Sequence, residues 1–181
     1  AIAHAYVRGD VFIEPDKYSI DPSQKNEEIQ RLEAAIEETK KQIHNLKEQV
    51  RLASGSNKEE AIFDAHLLVL EDHEVLDKVQ NMILNDGLNV EYAFYDIMGR
   101  YIRELKKIND QYLRERVVDI EDVMKNVLVN LSSVEKAEQS ATHDHILVIK
   151  ELTPSDTAQI DHSLVKGFAT EVVSYSSHST I

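Results

Sequence analysis

Ile29, Leu32, Ile36, Thr39, Ile43, Leu46, Val50 and Ala53 recur at steps of three and four residues, with Glu and Lys crowding the positions between them. Steps of that size return to one side of an α-helix, so the segment predicts a long helix with a narrow a/d seam and a solvated, charged opposite face. A seam that long has to be covered by other helices. Asp21-Pro22-Ser23-Gln24 supplies its start, with Asp as N-cap, Pro at the first helical position and Gln at the third.

Partners for the seam follow in the chain. After Ser54-Gly55-Ser56, a second helix runs from about Asn57, and its stretch 61–70 is apolar nearly all round, which requires contact with more than one surface. Asp72 can cap a continuation carrying Val75, Leu76, Val79, Met82 and Ile83, closed by Asn85-Asp86-Gly87. Asn89 can cap a third helix with Ala93, Phe94, Ile97, Met98, Tyr101, Leu105 and Ile108 on its apolar face. After Asn109-Asp110, a fourth carries Leu113, Val117, Ile120, Met124, Val127 and Leu131. Short connections between antiparallel helices predict a four-helix unit of paired hairpins over residues 21–131.

The flanks have another character. Residues 3–14 suit a strand with a turn at Gly9-Asp10, Ile146–Ile149 suits a buried strand, and 165–173 suits another with Gly167 inside it. Thr153-Pro154-Ser155 predicts a turn into a short helix. The expected class is therefore α+β in two subdomains. A helical insertion, 21–131, interrupts an α/β unit built from both chain ends, 1–20 and 132–181.

The chain has 181 residues, a formal charge of −13 and no cysteine. Nucleic-acid wrapping is disfavoured, since it needs clustered Lys and Arg, while a basic protein partner would be attracted. Disulfides and thiolate metal sites are excluded. No apolar run approaches the roughly 20 residues that span a bilayer, and the first residues lack signal-peptide regions, so a cytoplasmic location with no membrane partner is expected. With no initiator Met and no closing signal after Ile181, a fragment of a longer protein is expected. His143-Asp144-His145 has a His-x-His spacing without further ligands nearby, which favours a surface loop over a metal site.

His178 is the chemical candidate. A neutral imidazole attacks phosphorus readily near neutral pH, and the phosphoramidate it forms retains transfer potential. Ser176, Ser177 and Ser179 offer hydroxyls for phosphate oxygens. By local composition alone, a His in a Ser-rich stretch is an ordinary tail residue.

Three well-separated segments change that reading. Glu151-Leu-Thr-Pro-Ser-Asp-Thr-Ala-Gln159, with Gly167-Phe-Ala-Thr170 and Ser177-His178-Ser179, resembles the phosphohistidine subdomain of Enzyme I of the bacterial sugar phosphotransferase system. Glu60-Ala-Ile-Phe-Asp-Ala-His-Leu-Leu-Val-Leu-Glu-Asp72 resembles that family's first partner-binding helix, and Asp110–Asp122 resembles its Tyr-Leu-x-Glu-Arg-x-x-Asp segment. The likeness runs over essentially the whole chain.

The resemblance implies a phosphoryl carrier that takes phosphate from phosphoenolpyruvate onto a histidine and passes it to the small protein HPr. His178 falls at the phosphorylated position and Thr157 at the position whose hydroxyl orients that histidine; a turn or capping hydroxyl is the plain alternative for Thr157. The insertion would dock HPr through His66, Leu68, Val69, Asp72, Glu74 and Val75 on one side, and Leu105, Leu113 and Arg116 on the other. Core packing is the alternative for each apolar member. The resemblance implies no cofactor within these residues: phosphoenolpyruvate and magnesium belong to a carboxy-terminal barrel of the full-length enzyme.

One stretch departs from the family. Where Gly-Gly-x-Thr usually precedes the Ser-His pair, this chain has Val173-Ser174-Tyr175-Ser176, which keeps a hydroxyl but loses both glycines and a basic residue. A non-catalytic HPr-docking module with an impaired loop is therefore an alternative. Another is the mobile phosphohistidine domain of a pyruvate phosphate dikinase-like enzyme, against which the helical insertion argues. A coiled-coil assembly protein would follow from the seam alone and leaves the Thr-Pro-Ser-Asp-Thr and Ser-His elements unexplained.

Overall fold

The computed structural model describes residues 3–7, 14–54, 57–132, 143–150, 152–153, 156, 160 and 163–171, with side chains described except at 53–61 and 111–115. The chain divides into two compact units: Ile13–Val134, and Ala1–Phe12 together with Glu135–Ile181.

The larger unit is helical. Asp21 accepts a 2.9 Å bond from the Ser23 amide while Gln24 Oε1 accepts one of 3.1 Å from the Asp21 amide. This reciprocal cap opens a 3-10 turn, Pro22–Gln24, that leads into α1, Lys25–Ser54. The seam points inward as its period requires: Leu32, Ile36, Thr39, Ile43 and Leu46 are buried, and Ile29 and Val50 are half-buried. The polar member, Thr39, is fully buried yet satisfied. It donates to the Ala35 carbonyl at 2.8 Å and accepts from Asn130 Nδ2 at 2.8 Å. Gln42 exchanges two further bonds with the Asn130 amide, so this polar layer sets the register of α1 against the last helix.

The other helices are α2, Asn57–Leu70; α3, His73–Leu84; α4, Val90–Lys107; and α5, Gln111–Leu131. Every one of them packs on α1. The second expected helix is thus two, divided at Glu71-Asp72. Asp72 begins α3 by accepting from the amides of Glu74 at 2.9 Å and Val75 at 3.3 Å. α2 contacts both α1 and α5, burying Phe63, His66 and Leu70, which meets the demand of its nearly all-round apolar sequence. Gly87, at φ 64°, turns the chain after α3, where a side chain would be strained.

Two expectations for α4 change. Asn89 occupies the N-cap position without capping through its side chain. That amide is buried and ties in the incoming chain, accepting from the Tyr18 amide at 3.1 Å and donating to the Asp16 carbonyl at 3.2 Å. Glu28 of α1 supplies the missing cap, accepting from the Val90 amide at 2.8 Å. The buried stripe, moreover, steps from Met98 to Ile102, four residues on, and not to Tyr101, which is exposed; Leu105 is half-buried, and Ile108, beyond the helix, is exposed. In α5, Val117, Ile120, Val123, Met124, Val127, Leu128 and Leu131 are all buried.

The smaller unit contains a three-stranded parallel sheet of β1, His4–Val7; β2, His145–Ile149; and β3, Val165–Thr170, in that spatial order. His4 pairs with His145 and Val7 with Val148, so strands from the two chain ends are neighbours. A parallel pair cannot be joined by a tight turn, and the whole helical unit is the crossover between them. His145 is not a surface-loop residue, as its spacing suggested. It begins β2, is buried, meets the Tyr6 ring edge-on at 5.3 Å and holds the His143 carbonyl at 2.8 Å through Nδ1.

The seam gives a direct test. Ile43→Ala should cost about 2–5 kcal/mol in denaturant unfolding through lost burial and the cavity left behind. Leu52→Ala on the same helix, at a site 76% exposed, should change stability by under about 0.5 kcal/mol. Equal losses at both sites would contradict the inward-facing seam.

Candidate functional site

His178 and Thr157 lie outside the described residues, as does the Val173–Ser176 stretch. What can be built upward is the lead-in to them. Thr153 Oγ1 donates to Asp156 Oδ2 at 2.8 Å, and the Asp156 amide donates back to Thr153 Oγ1 at 3.1 Å. The Thr153 amide also reaches Asp156 Oδ2 at 3.2 Å. This reciprocal Thr-x-x-Asp bonding has the form of a capping box. Thr157 is the next residue in the chain.

The helical candidates fall into two groups. Asp72, Glu74 and Val75 share the α3 cap: the Asp72 carboxylate fixes the amides of the other two, Glu74 is exposed, and Val75 is buried beneath them. Leu68, on the last turn of α2, is 69% exposed, an apolar side chain in water beside half-buried Val69. Leu105 is half-buried near the end of α4. The side chain of Leu113 lies outside the described set.

The second group is His66 with Arg116, and it includes a residue not expected as a site residue, the Asp that ends the Tyr-Leu-x-Glu-Arg-x-x-Asp segment. Asp119 lies between them. Its Oδ2 accepts from Arg116 Nη1 at 3.0 Å, and its Oδ1 stands 3.9 Å from His66 Nε2. The second distance is too long for a hydrogen bond. His66 is 1% exposed, and neither ring nitrogen has a hydrogen-bond partner among the described residues. Phe63 meets its ring edge-on at 5.8 Å. Burial alone would raise the Asp119 carboxyl, but the facing His66 and the Arg116 guanidinium outweigh it and hold it below the usual Asp value. One signal in the sequence pointed here. Asp119 and Asp122 interrupt the apolar face of α5 between Val117 and Val123, and both are buried. Acids inside an apolar stripe need partners, and Arg116 stands one turn before Asp119.

Among the described residues, no set of three or more His, Cys, Asp or Glu side chains is arranged to hold a metal ion. No helix among them is long and apolar enough to cross a membrane.

Two predictions follow from these groups. Asp72→Ala removes the α3 cap and should cost about 1 kcal/mol, read as a lowered denaturation midpoint; an unchanged midpoint would contradict the cap. For Asp119, the folded-state carboxyl titrates below its unfolded value of about 3.9. Its stabilisation is complete above that value and is lost as pH falls through it towards the folded value. Asp119→Asn should therefore lower stability at neutral pH and flatten the acid loss between roughly pH 5 and 2. An acid limb identical to the wild type would contradict the assignment.

Comparison with known proteins agrees across the chain. Residues 1–116 match the family model of the PEP-utilising enzyme, N-terminal, and residues 141–181 that of the PEP-utilising enzyme, mobile domain. The phosphoenolpyruvate-protein phosphotransferase of Bacillus subtilis (strain 168) is 36% identical over 182 residues, covering 100% of this chain and 31% of the relative. That of Staphylococcus aureus is 35% identical over 186 residues, covering 100% and 32%. That of Priestia megaterium is 39% identical over 155 residues, covering 85% and 27%. The chain thus spans up to 32% of the length of these relatives. A solution structure of the Enzyme I protein nEIt superimposes with a TM-score of 0.75 at 30% identity, over 98% of this chain and 71% of that one. The N-terminal domain of Enzyme 1 - Nitrogen superimposes with a TM-score of 0.70 at 20% identity, which shows the fold alone. The paired-hairpin insertion, the parallel sheet built from both chain ends and these matches agree, and the chain belongs to the phosphoenolpyruvate-utilising enzymes, as part of the amino-terminal domain of an Enzyme I.

Proposed function

We propose that this chain is the phosphoryl-carrier region of an Enzyme I, with His178 as the phosphate-bearing residue and HPr as the protein that receives the phosphate. The supporting observation is that the mobile-domain match extends over residues 141–181, through the Ser177-His178 pair, on a chain similar to Enzyme I from end to end. In this reading His178 attacks phosphorus and holds the phosphoryl group as a phosphoramidate, Thr157 orients the ring, and the helical unit presents the docking face. Leu68 and Glu74 suit such a face. One gives apolar area for burial and the other a carboxylate that attracts a basic partner. Phosphoenolpyruvate and magnesium would be bound by a carboxy-terminal domain, and no step here runs through them.

A second reading is favoured by one observation: Val173-Ser174-Tyr175-Ser176 stands where the family has Gly-Gly-x-Thr. Replacing two glycines with a β-branched residue and a serine removes freedom at positive φ beside the histidine. The chain would then dock HPr and exchange phosphate poorly.

Incubation with phosphate-labelled phospho-HPr separates the two. The carrier reading predicts label on the wild-type chain and none on His178→Ala. Undiminished label on His178→Ala would contradict the site. Binding of HPr without label on the wild type would establish the docking-only reading.

A further inference from the structure

Asp119 is a buried carboxylate shared between two helices. One oxygen holds Arg116 of α5 at 3.0 Å, and the other faces His66 of α2 at 3.9 Å. The Asp119 side chain is 11% exposed, whereas that of Arg116 is 31% exposed. The carboxylate is thus the more deeply buried member of the pair, and about a third of the Arg116 side chain reaches solvent. Phe63 packs edge-on against His66, which fixes the imidazole plane behind the carboxylate. A free arginine side chain loses much rotamer freedom on binding, and one already held by a planar carboxylate loses less. On a chain of net charge −13, a guanidinium held in place is a fixed point of positive charge. It would select a partner that presents an acceptor oxygen at that place within a mainly basic face.

We infer that Asp119 is a positioning residue: it pre-orients Arg116 for docking of the partner protein, with His66 as the buried backing of the carboxylate. This deepens the docking part of the proposed function and rests on it. Asp119 itself touches no partner. Its effect on affinity passes through Arg116, and this separates positioning from a purely structural role.

The test is a double-mutant cycle on the whole chain, with HPr affinity measured by calorimetry and melting temperature recorded for each variant. Asp119→Asn keeps the shape and removes the charge. It should weaken HPr binding about tenfold in the wild-type background and under about twofold in the Arg116→Gln background, since the two residues act through one interaction. A structural role alone would lower the melting temperature in both backgrounds and leave affinity unchanged at temperatures where the variants are folded. That result would overturn the inference. A second readout needs no binding: in the free wild-type chain the Arg116 guanidinium should give separate, slowly exchanging Nη signals by NMR, merged in Asp119→Asn. Averaged signals in the wild type would also overturn it. If the wild-type chain fails to bind HPr, the docking reading falls and the inference with it. If the wild type binds and Asp119→Asn binds equally well, only the inference falls.

Discussion

Arg31 joins three helices at one end of the helical unit. Its guanidinium donates to Glu28 on α1 at 2.6 Å, to Glu91 in the first turn of α4, and to the Leu131 carbonyl at the end of α5 at 3.1 Å. Glu28 in turn caps α4, and Glu91 accepts from the same Asn89 amide that holds Asp16 and Tyr18. Burial alone would disfavour the Arg31 charge, but the two carboxylates outweigh that and stabilise it. Each member of such a node depends on the others, because removing one leaves a buried charge without its counter-charge. Residues where the chain enters the unit and the helix end where it leaves are thereby held together. An insertion placed within a parallel strand pair needs its two ends close to each other, and this node keeps them so.

The surface is governed by weaker forces. Pairs such as Lys78 with Glu74, Lys107 with Glu104 and Arg51 with Glu48 are local, exposed ion pairs, each worth a fraction of a kilocalorie and screened by salt. They do little for stability. With 33 acidic and 20 basic residues, the chain keeps a negative field that favours encounter with a basic protein. Within that field, an exposed apolar side chain such as Leu68 and a carboxylate-held guanidinium such as Arg116 can confer specificity where net charge only confers attraction.

Much of this was legible in the residues. The α1 seam, the Asp21 cap, the Asp72 cap and the α5 stripe are periodic or local, so sequence spacing carries them. What escaped depends on the third dimension. Glu28 lies outside the seam of its own helix, and only folding brings its carboxylate to the Val90 amide. Asn89 sits at an N-cap and spends its side chain on the incoming chain, which no local rule anticipates. A step of three or of four from Met98 fits an apolar residue equally, and only packing shows that Ile102 rather than Tyr101 takes the buried place. Asp119 ends the Tyr-Leu-x-Glu-Arg-x-x-Asp segment, yet an acid in an apolar stripe gains its meaning only from the His66 it faces after folding. The proposal of His178 as phosphate carrier rests on resemblance, since a Ser-rich stretch around one histidine has no local signature.

The central proposal is that the helical unit docks HPr through the end of α2, the start of α3 and the start of α5. Titrating unphosphorylated HPr into the isotopically labelled chain and following backbone amide shifts tests it most directly. The account predicts shifts concentrated at Leu68, Glu74, Leu105 and Arg116, with the Thr39–Asn130 layer unmoved. Shifts that are absent at a large excess of HPr, or that gather on the charged outer face of α1 instead, would contradict it.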